Sequence, residues 1–179
     1  MLAAAFRSVV IPLTAIVTNL LSVGAAYGLL VLVFQRGVGA GALGFERVDT
    51  VEAWLPLFLF TILFGLSMDY HVFLLSRIRE RYLVTGDTVA SVAFGVSSTA
   101  RLITGAALIM VAVFAGFATG QLVMFQQMGF GLGAAVLIDA TLVRSVLVPA
   151  AMALLGRWNW WMPGRPRKAA GLEATLDAA

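Results

Sequence analysis

The stretch LPLFLFTILFGLSMDYHVFLLSRIRERY, residues 55–82, decides the fold. From Leu55 to Ser76 it is apolar for about the 20 residues that an α-helix needs to cross roughly 30 Å of hydrocarbon. Asp69 falls near the middle of that run, and Arg77, Arg79 and Arg81 follow as a basic flank. Trp54 and Pro56 mark the entry, Trp favouring the headgroup level and Pro the first turn of a helix. The segment reads as a membrane span with a carboxylate in its interior. At that depth a charged side chain costs at least ~2.5–3.5 kcal/mol, so such a residue is a functional candidate by default.

Working outward, three more spans are predicted. Ile11 to Phe34 carries no charge and gives a helix over 11–34, with Pro12 near its start. Residues 1–10, apolar apart from Arg7, read as the tail of a preceding helix too short to span alone. Gln35 to Trp54 is a turn-rich loop. Asp87 is placed to N-cap a short amphipathic helix through Ser98, with Val89, Val92 and Val96 on one face, lying on the membrane surface. Leu102 to Ile138 has no charged residue. As one helix it would be about 55 Å long, so it should break, and the polar patch of Gly120, Gln121, Gln126 and Gln127 is the expected place. Spans over 102–119 and 128–155 follow. Trp158, Trp160 and Trp161 form an interfacial belt, Pro163 ends the element, and residues 164–179 read as a disordered cytoplasmic tail. The expected fold is therefore all-α: a polytopic membrane bundle of four full transmembrane helices plus a partial N-terminal one.

Composition agrees. Of 179 residues, 61% are hydrophobic and 12% are charged, about half the charged fraction of a soluble domain. There is no cysteine, hence no disulfide framework or thiolate metal site, and one histidine is not a metal site either. No cofactor is implied. The net charge of +3 comes from a few arginines in short loops, which speaks for membrane topology and not for nucleic acid. With four spans, one side holds Arg7, Arg77, Arg79, Arg81, Arg101, Arg157, Arg165, Arg167 and Lys168, and the other holds Arg36 and Arg47. The positive-inside bias puts both termini in the cytoplasm of a multi-pass plasma-membrane protein.

Asp69 is the leading candidate for a proton carrier, because desolvation penalises its charged form and makes proton exchange thermodynamically accessible. Tyr70 is its neighbour and a candidate relay partner. Asp139 and Arg144 lie within the last span and should point into the bundle, toward each other or toward Asp69. Five residues apart on an α-helix, they stand about 140° around the axis and do not stack as an i,i+4 pair. His71 is a further relay candidate, with the plainer reading of a residue on a less critical face. Gly129, Gly131 and Gly133 permit close helix packing. They are no phosphate loop, since no strand precedes them and no lysine follows. An intramembrane aspartyl protease built on Asp69 and Asp139 is the enzymatic alternative. It is disfavoured because VLI precedes Asp139, so no enzyme is expected. A non-transporting membrane assembly subunit is the other alternative.

These residues resemble a known family. FGLSMDYHVFLLSRIRERY (64–82), TGD (85–87), TARLITGAALIMVAVFAGFA (99–118) and GFGLGAAVLIDATLVRSVLVPAAMALLGRWNWWMP (129–163) are similar to the MMPL branch of the RND transporters. RSVVIPLTA (7–15) and NLLSVGAAYGLLVLVFQ (19–35) fit as well. His71 departs from the glutamate usual after the Asp-Tyr pair. The resemblance implies twelve helices in two pseudo-symmetric halves with outer porter domains. It also implies Asp-Tyr pairs that relay protons to drive export of lipids or other hydrophobic compounds. On that reading Asp69 and Tyr70 are the pair of the second half, and Asp139 with Arg144 the polar pair of the last helix. Only one Asp-Tyr pair occurs in the chain. It is expected to be the C-terminal transmembrane portion, a truncated product or a subunit pairing with a separately supplied first half, and not transport-competent alone.

Overall fold

The computed structural model describes residues 8–156 and Asn159. Among them every regular element is helical. The tail helix expected over 1–10, the tryptophan belt and the tail over 164–179 fall largely or wholly outside the described residues. Four helices are long and apolar enough to cross a membrane: Val10–Gln35, Leu55–Thr85, Thr88–Ala118 and Val123–Leu155. They comprise α1 (Val10–Leu30) with a terminal π turn (Val31–Gln35), a single turn α2 (Ala40–Leu43) in the first loop, α3 (Leu55–Thr85), and α4 (Thr88–Ala118). The last span joins α5 (Val123–Ile138), a π-helical segment (Asp139–Leu147) and α6 (Val148–Leu155).

Three boundaries differ by more than one residue from those the sequence predicts. The second span runs on to Thr85, through the arginine flank, and stops where Gly86 takes φ 68°, a conformation cheap only without a Cβ. Asp87 then caps the next helix as expected, its Oδ1 accepting from the backbone N–H groups of Val89 (2.9 Å) and Ala90 (3.2 Å). That helix does not stay on the surface or end at Ser98. It continues unbroken to Ala118, so the separate span over 102–119 is a correction. The hydroxyl residues near the expected end at Ser98 are absorbed by the helix itself. Ser97 donates to Phe94 O, and Ser98 and Thr99 donate to Gly95 O, the back-bonding that lets hydroxyls sit in an apolar helix. Arg101 therefore lies within α4 on an exposed face, not in a loop.

The expected break after Ala118 is present but short. Gln126 Nε2 closes it by donating to Gly120 O (2.8 Å), and Gln127 Oε1 accepts from the N–H of Glu52 in the first loop (3.2 Å). The last span thus starts at Val123, five residues before the predicted 128.

Small residues set the helix spacing. A Cβ on Gly95 would stand 2.3 Å from Ile78 Cγ1 and 3.3 Å from its backbone N, so α3 and α4 touch there. One on Gly129 would meet Ala118 N and Phe114 O at 2.5 Å, which locks α5 to the end of α4. Gly131 packs against Leu30 and Leu59. Gly133 has only an ordinary contact at 3.8 Å. Two apolar clusters result, one around Leu30, Leu59 and Leu132, the other around Ile11, Leu75, Ile78 and Val148.

Candidate functional site

Between those clusters the buried faces turn polar. On α3 the inward stripe runs Leu55, Leu59, Leu63, Ser67, His71, Leu74, Leu75 and Ile78. Ser67 and His71 occupy its centre, four residues apart and therefore on one face. His71 is 3% exposed. Its Nδ1 lies 3.1 Å from the Ser67 carbonyl and 3.2 Å from Ser67 Oγ. A carbonyl only accepts, so Nδ1 carries the proton in this arrangement.

Asp139 and Arg144 come from the π-helical segment, and that geometry joins them. In a π-helix the backbone bonds run i to i+5, which adds a residue to the turn and stacks side chains five apart. Pro149, at the start of α6, cannot donate to the carbonyl four residues before it, which favours a wider turn upstream. Arg144 Nη2 donates to Asp139 Oδ2 at 2.7 Å. It also donates to Ser67 Oγ (3.2 Å) and to the Ser67 carbonyl (3.4 Å). Ser67 Oγ donates to Asp139 Oδ1 at 3.4 Å. Ser67, His71, Asp139 and Arg144 thus form one buried hydrogen-bonded cluster across two spans. Ser67 was not singled out in the sequence. Its signal is its position, four residues from the lone histidine on an otherwise leucine-lined face.

Tyr70 links this cluster to the outside. Arg144 Cζ sits 5.0 Å from the centre of the Tyr70 ring, a cation–π contact. Ser67, Tyr70, Ile103, Met110, Asp139 and Arg144 line a cavity of about 20 Å³, enough for a single water. Asp69 lies apart from the cluster. It is exposed on the outer face of α3 and makes no hydrogen bond or ion pair within the described residues. No hydrogen bond joins Asp69 to Asp139, whose carboxylate is taken by Arg144 and Ser67, so the protease dyad has no geometric support. No group of three or more His, Cys, Asp or Glu side chains that could hold a metal occurs among the described residues.

A bundle of four long apolar helices with a buried ion pair and a carboxylate on an outer face defines a multi-pass membrane protein. The chain belongs to the MMPL family, whose model matches residues 1–174. It is 50% identical over 163 residues to the mycolic acid-containing lipids exporter MmpL11 of Mycolicibacterium smegmatis, covering 91% of this chain and 17% of that protein. Identity and coverage are the same with the heme uptake protein MmpL11 of Mycobacterium tuberculosis. With the trehalose monomycolate exporter MmpL3 of Mycolicibacterium smegmatis it shares 41% over 162 residues, 89% of this chain and 16% of that protein. The chain spans about a sixth of the length of these relatives.

Proposed function

We propose that the chain is the C-terminal transmembrane part of a proton-motive-force-driven exporter of lipids or other hydrophobic compounds, seated in the plasma membrane with both termini cytoplasmic. Asp69 is its proton carrier and Tyr70 the relay partner. Asp139 and Arg144 hold a fixed, neutral charge pair behind them. The observation that carries this reading is the placement of Asp69 within a span on an exposed helix face. A carboxylate cannot be left facing acyl chains at low cost, so this face calls for a second helix bundle or a water path. Arg101 supports the same need. From the Ile78 contact with Gly95, nine residues along α3 lead to Asp69 and six along α4 lead to Arg101, so this exposed cation lies within about one helical turn of the depth of Asp69.

The mechanism needs two bundles that rock about the site, the second supplied by the remainder of such a transporter. A proton entering at Asp69 neutralises it and removes the charge that resists burial between the bundles. Tyr70, amphipathic and stacked on Arg144, passes or positions that proton through its hydroxyl. The lipid class follows the names of two relatives, and the third makes heme the cargo to test beside it. In cells where the chain is joined to the rest of the transporter, Asp69→Asn is expected to abolish export of the lipid while insertion and abundance stay normal. Unchanged export by that variant would remove Asp69 from the role, and loss of heme uptake alone would reassign the cargo.

A further inference from the structure

Helix α1 carries a polar pair that the reading above does not use. Asn19 is 2% and Ser22 0% exposed. Neither the Asn19 amide nitrogen and oxygen nor Ser22 Oγ has a hydrogen-bond partner. They sit on the same inward stripe as Ile11, Ala26 and Leu30, so they face the neighbouring spans and not lipid.

Their depth can be fixed from the apolar contact of Leu30, Leu59 and Gly131, where three spans meet. Ser22 stands eight residues from Leu30, Ser67 eight from Leu59, and Asp139 eight from Gly131, all roughly 12 Å along the axis at about 1.5 Å per residue. Asn19, His71 and Arg144 stand eleven, twelve and thirteen residues from the same contact. The polar residues of α1 therefore share a layer with the Ser67, His71, Asp139 and Arg144 cluster, sealed on both sides by apolar clusters. In that layer His71 Nε2 is also buried without a partner. Its Nδ1 bears the proton, so Nε2 presents an acceptor lone pair to this buried layer. Each such buried orphan costs about 1–3 kcal/mol, and buried polar groups as a rule find a partner in protein or ordered water.

We propose that Asn19, Ser22 and the Nε2 edge of His71 bind a buried water between α1, α3 and the last span. The chemistry selects water over an ion. Asn19 offers both a donor and an acceptor, Ser22 a rotating hydroxyl and His71 an acceptor. No free carboxylate faces this layer to hold a cation, because Asp139 is spent on Arg144 and Asp69 lies on the outer face of α3. Buried polar groups at one depth that lack a direct partner can be bridged by water at little enthalpic loss. The water gives the imidazole a proton-exchange partner on the α1 side, opposite its bond to Ser67. This site stands whether or not Asp69 carries protons.

The chain contains one histidine, so histidine labelled with 15N reports this ring alone. In the full chain in lipid bilayers, water-edited solid-state NMR is expected to show a ring protonated at Nδ1 with polarisation passing from water to Nε2. Asn19→Leu should abolish that transfer and Ser22→Ala should weaken it, with the Nδ1 shift retained as proof of the Ser67 bond. A ring without water transfer, a direct bond from the Asn19 amide to Nε2, or transfer unchanged in both variants would overturn the site. Ser22→Ala removes one oxygen without adding bulk, so it decides the matter even if the leucine variant fails to assemble.

Discussion

Arg144 is buried with only one formal counter-charge, Asp139, and most of its hydrogen bonding runs through a single Nη2 atom. A buried pair of this kind adds little net stability, because desolvation of both ions offsets their attraction, but removal of one partner leaves the other stranded. Asp139→Ala or Arg144→Ala is expected to destabilise the bundle by about 3–5 kcal/mol, measured as a lowered unfolding midpoint in detergent or bilayers. The paired change Asp139→Leu with Arg144→Met should recover most of that loss. If the double variant were as unstable as either single one, the pair would be contributing through its specific hydrogen bonds and not through mutual neutralisation. At this scale the sequence was informative about identity and less so about partnership. It marked Asp69, Tyr70, His71, Asp139 and Arg144 as the residues out of place in lipid. That Asp139 and Arg144 stack could not be read, because ideal α-helical spacing puts them on different faces, and the π-helical register that aligns them is set by tertiary packing and Pro149.

The helices themselves were legible wherever apolar runs were long and bounded by strong punctuation. Gly86 and Asp87 show this best. One supplies the positive φ that ends α3, the other the side-chain cap that begins α4. Asp87→Ala is expected to cost about 1 kcal/mol, read as lower thermal stability with the helix content preserved. The continuity of α4 was hidden because Val89, Val92 and Val96 read as a separate surface helix ending at Ser98, and the charge-free run begins only after Arg101. The hydroxyls of Ser97, Ser98 and Thr99 satisfy themselves on carbonyls of the preceding turn, which composition alone does not reveal. Close helix approach was half legible. Gly129 and Gly131 are tight contacts, Gly133 is not, and Gly95, where α4 meets Ile78 of α3, carried no signal beyond being a glycine in a helix. Gly129→Ala is expected to destabilise by about 1–3 kcal/mol, since its Cβ would meet backbone atoms of α4 that cannot move alone. Gly133→Ala should be nearly neutral. Parallel unfolding measurements of the two variants check the ranking, and equal losses would contradict it.

Over the whole molecule, the four spans cover one another unequally. Of the four spans, α4 is the least buried within the bundle and the last span the most. Charged side chains on exposed faces, Asp69 on α3 and Arg101 on α4, coincide with that imbalance. A bundle made for lipid on every side would not carry them, so the outer faces of α3 and α4 are expected to be covered by further protein. Site-specific photo-crosslinking from position 101 should then capture a transporter segment and not only lipid. Everything rests on whether the carboxyl of Asp69 takes part in proton movement. The most direct measurement is gradient-driven proton uptake into proteoliposomes that contain the chain joined to the remaining transporter, compared with the Asp69→Asn variant at equal incorporation. Uptake is expected to fall to the level of empty vesicles in the variant, and uptake equal to that of the unaltered protein would contradict the proton-carrier role.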